Sequence, residues 1–322
     1  MNKDIFKIED YSISIDELEN KLTNDRIGRE NIEQTIFFGN GINLLSNKGI
    51  SWKSILSSIG PTCTLKDVPY TLQYEDSFVN FSCTPKPKYS KEYLLKEQYL
   101  KPLRKLVSNA IYKLMANHHV KNFITTNYDD TLDKELKNNG YNGPDSSFKT
   151  TEKVYSIRRL HRFERNENDV KDLWYAHGEM KYPKSIMLGY DQYCGTIGLL
   201  NDYFKGNYTL PNGTKLPSMV QRIKDSNTDR YSWVDLFFMT DVHIIGFGLG
   251  YDETDIWWIL NRRKRMLLEG KITTLPNNIY FYMNNPNHAQ AKLLSDFGAT
   301  VVNVNVKSGN YLRTYQRIIS MI

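Results

Sequence analysis

Three cysteines, Cys63, Cys83 and Cys194, with no CxxC pair, leave neither a disulfide framework nor a zinc ribbon to build on. Cysteine this sparse fits a reducing, cytoplasmic setting. Nowhere do about eighteen apolar residues follow one another, the length a membrane-spanning helix needs, and the opening MNKDIFKIEDYSIS holds no apolar core of signal-peptide length. A concentrated basic face is missing too. The formal charge of +6 helps in meeting anionic nucleotides but falls short of a dedicated nucleic-acid binder. Internal repeats and low-complexity tracts are absent. What is present is a chain of 322 residues, 40% hydrophobic, with ample core for one large α/β domain or two small ones; we read a single domain over 1–322.

The stretch that organises the chain is QTIFFGNGINLLSNKGISW, from Gln34 to Trp52. Ile36, Phe37 and Phe38 suit a strand buried on both faces, and Gly39 and Gly41 permit a turn that side chains would forbid. Backbone amides in that turn are expected to face outward. With the N-terminus of a following helix, they would hold a diphosphate against Gly39, Asn40, Gly41 and Asn43. The turn lacks the third glycine of the common dinucleotide fingerprint and the GK[ST] ending of a P-loop, which counts against an ordinary dehydrogenase or NTPase.

The strand-turn-helix pattern recurs three times. In HVKNFITTNYDDTLDKELK, Phe123 and Ile124 lead into the polar turn Thr125–Asp129, which contains Thr126 and Asn127, and Leu132 and Leu136 share a helix face. Asn127 also suits a left-handed turn, and of Asp129 and Asp130 the second is the expected helix cap. In KDLWYAHGEMKYP, the strand Leu173–Ala176 places His177 and Gly178 just past its end. A lone histidine is commonly structural, but at this position an imidazole suits a site that needs a base near neutral pH. Finally, Val242–Ile245 runs into GFGLGYDETDIWWILNRRKRMLLEG, where Gly246, Gly248 and Gly250 permit close approach to a ligand. Asp252 or Thr254 is the expected cap of the next helix, and Arg262–Arg265 reads as a solvated or subunit-facing surface. Open α/β sheets bind ligands past the carboxyl ends of their strands, so these turns face one ligand if their strands are neighbours.

Around these motifs, residues 1–30 read as an arm and a helix carrying Ile15, Leu18 and Leu22, covering its own domain or a sister subunit. Trp52, Ile55, Leu56 and Ile59 form a helix ended by Gly60 and Pro61. A helical insertion over 61–118 comes after it, with Pro69, Pro85 and Pro87 in its loose part and Pro102 kinking or restarting the periodicity of Tyr93–Met115. Arg158, Arg159, His161, Arg162 and Arg165 form a basic run, read as a solvated hairpin before a nucleic-acid contact. Residues 180–235, rich in tyrosine, read as an insertion covering the site, and Trp233–Met239 as a helix. Strands at Ile279–Met283 and Thr300–Val304 flank a helix from His288 to Phe297 that Gly298 ends, and Tyr311–Ile322 closes as a helix. The fold class is therefore α/β: a Rossmann-like, mostly parallel sheet flanked by helices, with helical insertions and no zinc ribbon.

FFGNGINLLSNKGISW, TTNYDD, HGEM and IIGFGLGYDETD, in that order, resemble the sirtuin-like (silent information regulator) family, in particular its bacterial branch of NAD-consuming anti-phage proteins. The resemblance spans about residues 32–306. It implies that the first glycine turn (Gly39, Asn40, Gly41, Asn43) holds the NAD diphosphate. Asn127, with Thr126 and Asp129 beside it, would serve the nicotinamide-ribose pocket, His177 would be catalytic, and Gly246 and Gly248 would serve the ribose and adenine end. Protein-deacylating members carry GAG, a PDFR segment, a TQN turn and four zinc-binding cysteines, where this chain has GNG, SNKGISW, TTN and no cysteine cluster.

A deacylase is thereby disfavoured. The expectation is an NAD+ glycohydrolase releasing nicotinamide and ADP-ribose, with no metal, and acting as an abortive-infection effector that depletes NAD+ in anti-phage defence. An unrestrained enzyme of this kind would poison its host. The resemblance therefore implies a homo-oligomer or a separately encoded activating or sensor protein, with nucleic acid involved only through such a partner. A non-catalytic module that binds NAD or ADP-ribose is the second reading. A nucleic-acid-associated subunit of a defence complex, using Arg158–Arg165, is the third.

Overall fold

The strands are short runs of β-branched and aromatic side chains, the composition a sheet covered on both faces requires. In the computed structural model, which describes residues 11–26, 32–57, 68–84, 88–144, 156–227, 229–306 and 309–322, they are β1 (Ile13–Ser14), β2 (Gln34–Phe38), β3 (Asn122–Thr125), β4 (Leu160–Asn166), β5 (Asp169–Tyr175), β6 (Asp241–Ile245), β7 (Ile279–Met283) and β8 (Thr300–Asn303). They form one sheet in the order β1-β8-β7-β6-β2-β3-β5-β4. All neighbours run parallel except β4 and β5, which make an antiparallel hairpin at one edge. The parallel α/β expectation holds.

Side-chain alternation sorts the core into two faces. Phe37, Ile124, Trp174 and Ile244 belong to one cluster, while Ile36, Phe38, Phe123 and Tyr175 belong to the other. Each such fully buried side chain stabilises by about 1.5–3 kcal/mol. The first face is covered by α7 (Tyr190–Lys205), α8 (Met219–Lys224), α9 (Trp233–Met239) and α10 (Thr254–Leu268), which contribute Leu200, Met219, Trp233 and Ile256. The second is covered by α1 (Ile15–Arg26), α5 (Ala110–Asn117), α6 (Thr131–Asn138) and α12 (Tyr311–Met321), through Leu18, Ile111, Leu132 and Ile318. Thus α1 packs on its own sheet, with Ile15 and Leu18 buried and Asp16 and Glu19 paired to Arg317.

A third cluster lies over the carboxyl ends of the strands, where α2 (Trp52–Ser57), α3 (Tyr70–Asn80) and α4 (Lys91–Leu103) gather Ile55, Tyr74, Leu95 and Tyr99 against Tyr128 and Ile186. Pro102 sits in the last turn of α4, and the chain restarts as α5 under an Asn109 cap. Ile59, Gly60, Pro61, Cys63, Pro85 and Pro87 lie outside the described residues. The remaining helix, α11 (His288–Asp296), joins β7 to β8. No helix among the described residues is long and apolar enough to cross a membrane.

The first basic run does lie on a hairpin, β4–β5, where Arg159 alone is buried, whereas the run on α10 is more buried than a solvated surface would be. In the hairpin, Arg162 makes a two-pronged bond to Asp172, Arg165 pairs with Asp169, Arg158 donates to the Tyr231 carbonyl, and Arg159 is buried against Glu179. On α10, Arg263 is buried and donates to Asn277 and the Phe237 carbonyl, while Arg262 stacks on Phe204 and Trp258. Arg265, exposed and paired with Glu269, is the surface residue expected.

Candidate functional site

Strand β2 lies between β3 and β6: the chain leaves it toward one side of the sheet and later returns on the other. That reversal opens a crevice at the carboxyl ends. A cavity of about 990 Å³ lies there, walled by Asn40, Thr126, His177, Gly246 and Glu253 and reaching past β7 to Asn284 and Tyr311. The volume suits a dinucleotide-sized ligand.

The first glycine turn is built differently from the expectation. The amides of Gly39 and Gly41 do not face outward but donate to the carbonyls of Ile245 and Gly246, at 3.1 and 2.7 Å. These glycines exist for the contact between turns: a Cβ on Gly41 would lie 2.7 Å from the Gly246 oxygen, and one on Gly39 would meet the Phe247 ring and the same carbonyl. Gly246 itself has a positive φ of 61°. Directly beyond the turn the chain makes a single 3₁₀ turn, Asn43–Leu45, and not the helix whose N-terminus was to favour an anion. Gly41, Gly246 and Gly248 line the cavity, whereas Gly39 lies behind it.

Asn43 and Asp129 are buried and join the first turn to the second. Asn43 Nδ2 donates to Asp129 Oδ2 at 2.8 Å and to Asn40 Oδ1 at 3.2 Å, and its side-chain oxygen accepts from the Tyr112 hydroxyl at 2.6 Å. Asp129 Oδ1 accepts from the Thr131 amide at 3.1 Å. Burial holds the Asp129 carboxyl above its ordinary range, against the pull of the Thr131 and Asn43 hydrogen bonds. Asp130, the expected cap, makes no capping bond and reaches Lys134 instead. Its neighbour wins because Asn43 fixes the Asp129 carboxylate over the first turn of α6.

Asn127 sits at the centre of this second turn, 3% exposed, its amide N–H donating to Thr125 Oγ1. Its side-chain nitrogen is buried and makes no hydrogen bond of good geometry, although the side chain lies beside the Tyr112 hydroxyl. Thr126 lines the cavity wall next to Asn127.

His177 follows β5, and Gly178 after it has φ of 91°, a conformation open to glycine. The imidazole Nε2 lies 2.9 Å from Asp255 Oδ2, Nδ1 lies 3.8 Å from Glu253 Oε2, and the ring meets Tyr193 edge-on. Burial works against charging this ring, but the nearby carboxylates of Asp255 and Glu253 outweigh it, so its pKa rises. Burial, together with the Asp255 and Asp252 charges, pushes the Glu253 carboxyl up to about 7, against the opposing pull of His177 and Tyr193. Ligand atoms of His177, Glu253 and Asp255 lie within 4.8 Å of one another, close enough for a divalent cation. Of these atoms only those of His177 and Asp255 share a hydrogen bond, and Tyr193 donates to Glu253 at 2.7 Å, so the three side chains also form a line along which a proton can be held.

Sequence reasoning passed over Glu253 and Asp255. They belong to the GYDETD stretch, where Asp252 or Thr254 was expected to cap α10; neither does so, Glu253 occupies the cap position, and Asp252 accepts from the Tyr70 amide. Three acids in six residues after a glycine turn were the available signal.

This arrangement, a parallel sheet with a dinucleotide-sized crevice at its switch point and a histidine in its wall, is that of a nucleotide-handling α/β protein. Residues 121–301 match the family model described as SIR2-like domain, more than half of the chain, and the chain belongs to that sirtuin-like family. SIR2-like domains are in general NAD-dependent enzymes. The matched span holds Asn127, His177 and the Gly246–Gly248 turn but begins after the first glycine turn. No curated protein matches the chain at a significant level.

Proposed function

We propose that the protein is an NAD+ hydrolase that breaks the bond between nicotinamide and ribose. The observation that carries this reading is the pairing of His177 with the buried Asp255 on the wall of a dinucleotide-sized cavity, which Thr126 and Tyr128 also line, with Asn127 buried between them in sequence. Nicotinamide leaves a cationic ring as a neutral molecule, so the site needs no strong acid. It needs a held dinucleotide, a stabilised oxocarbenium-like ribose and an oriented nucleophile. Gly41, Gly246, Gly248 and Asn40 frame the diphosphate and ribose, while Gly39, Asn43 and Asp129 brace the turns from behind. The Asn127 side chain orients the water or the carboxamide, and His177 draws off a proton as charge falls on the sugar. A metal has no part in this scheme, and NAD+ is the substrate.

Depletion of cellular NAD+ is the effect such an enzyme would have in an abortive-infection role. Its restraint would fall to self-assembly or to a separately encoded activator. The test is nicotinamide and ADP-ribose release at high protein concentration, followed by chromatography with NAD+ binding measured alongside. We expect wild-type turnover, and losses of about 10²–10⁴-fold in Asn127→Ala and His177→Ala with binding retained. NAD+ binding without release, in buffer and in cell extract alike, would make the protein a binding module instead.

A further inference from the structure

Both ring nitrogens of His177 are already addressed by carboxylates, Nε2 by Asp255 and Nδ1 by Glu253. The three side chains run from core to cavity: Asp255 is fully buried, the His177 side chain is 3% exposed, and Glu253 keeps 24% of its side-chain surface and lines the cavity. Of this line, Glu253 is the member that a water in the cavity meets first. Its Oε2 faces His177 and accepts from the Tyr193 hydroxyl, which fixes the carboxylate and leaves Oε1 without a partner among the described residues. The backbone holds it as firmly, since the Glu253 amide donates to the Gly250 carbonyl at the entry of α10.

Building on the NAD+-cleaving reading, we infer that Glu253 is a catalytic residue: its carboxylate touches the attacking water and takes its proton, with His177 behind it as the next carrier and Asp255 as the buried anchor. In the step, the bond from the ribose anomeric carbon to the nicotinamide nitrogen breaks and its electron pair stays on nicotinamide, which leaves neutral. The water oxygen bonds to the anomeric carbon, and one water proton passes to Glu253. From Glu253, the member of the line open to the cavity, it passes to solvent, with His177 behind it able to hold it meanwhile, so NAD+ and water yield nicotinamide, ADP-ribose and one proton. Before the water loses its proton, the Glu253 charge faces the cationic sugar. That contact favours the transition state over the neutral product.

The experiment compares wild type, Glu253→Gln and Glu253→Ala for turnover, NAD+ affinity by calorimetry, and turnover with added azide. Glu253→Gln keeps an acceptor for Tyr193 but not the basicity, so kcat falls about 10²-fold or more while NAD+ affinity holds. In Glu253→Ala, azide needs no deprotonation, so it restores cleavage and gives ADP-ribosyl azide. Glu253→Gln turning over within about threefold of wild type overturns the inference, even though NAD+ cleavage stands. Loss of NAD+ affinity in both variants with no azide product also overturns it and leaves Glu253 a bracing residue. Absence of wild-type cleavage is a different result, which removes the underlying reading itself.

Discussion

His177 is defined by what stands behind it. Asp255 is fully buried, one of its oxygens holds the ring, and the other has no partner among the described residues. A buried carboxylate so poorly satisfied costs stability and is kept for what it does to the imidazole. Asp255→Asn preserves the shape and removes the charge, so the His177 pKa should drop, burial now acting with less opposition. With the wrong tautomer favoured, turnover should fall by about 10²-fold or more while the unfolding midpoint stays level or rises. Imidazole NMR titration beside a urea melt checks this. An unchanged His177 titration, or a large loss of stability with the pKa intact, would mean that Asp255 is only a packing element.

At the scale of elements, the site depends on two turns that touch backbone to backbone. A Cβ on Gly41 would lie 2.7 Å from the Gly246 oxygen and 2.8 Å from its Cα, and neither atom can swing aside as a side chain could. Gly41→Ala should therefore push the turns after β2 and β6 apart, costing about 1–3 kcal/mol and weakening NAD+ binding together with stability. A variant with wild-type melting and wild-type affinity would show that the contact is slack. Strands and turns of this kind were legible in the sequence, because a strand buried on both faces is a bare apolar run and its end is marked by glycine or by polar residues. Ile36–Phe38, Phe123–Ile124, Leu173–Ala176 and Val242–Ile245 all lie where that rule puts strands, apart from Ala176, one residue beyond β5. Which neighbouring acid does which job was not legible. Asp129 prevails over Asp130 because Asn43, 86 residues away, reaches it, and Glu253 faces His177 because the turn after β5 and the entry of α10 meet in space. The direction of the glycine-turn amides was lost for the same reason, as their acceptors belong to β6 and the turn after it.

Across the whole molecule, the polar groups behind the site form one connected network that binds three turns together. From Asn43 it passes to Asp129, whose carbonyl accepts from Tyr175; Tyr175 also donates to Asp133, which bonds His161, which in turn meets Glu179, two residues after His177. Arg159 completes it at 2.9 Å from Glu179. Burial alone would lower the His161 pKa, but the Asp133 and Glu179 contacts raise it to about 9, from 6.5. A raised histidine contributes stability that is fully present below the unfolded value and fades as pH climbs through the folded one. The protein should therefore lose stability from pH 6.5 to 9 on this account. Glu253, raised to about 7, acts with the same sign only up to that pH, and Lys171, lowered by burial to about 8, acts with the opposite sign only above it. Between about pH 7 and 8 the slope thus belongs chiefly to His161, and any share from His177 is common to wild type and to a His161 variant. His161→Gln should start with a lower urea midpoint and decline less over that interval. If both proteins decline in parallel, His161 is not charged in the fold, and the network behind the HG turn is held by Arg159 alone.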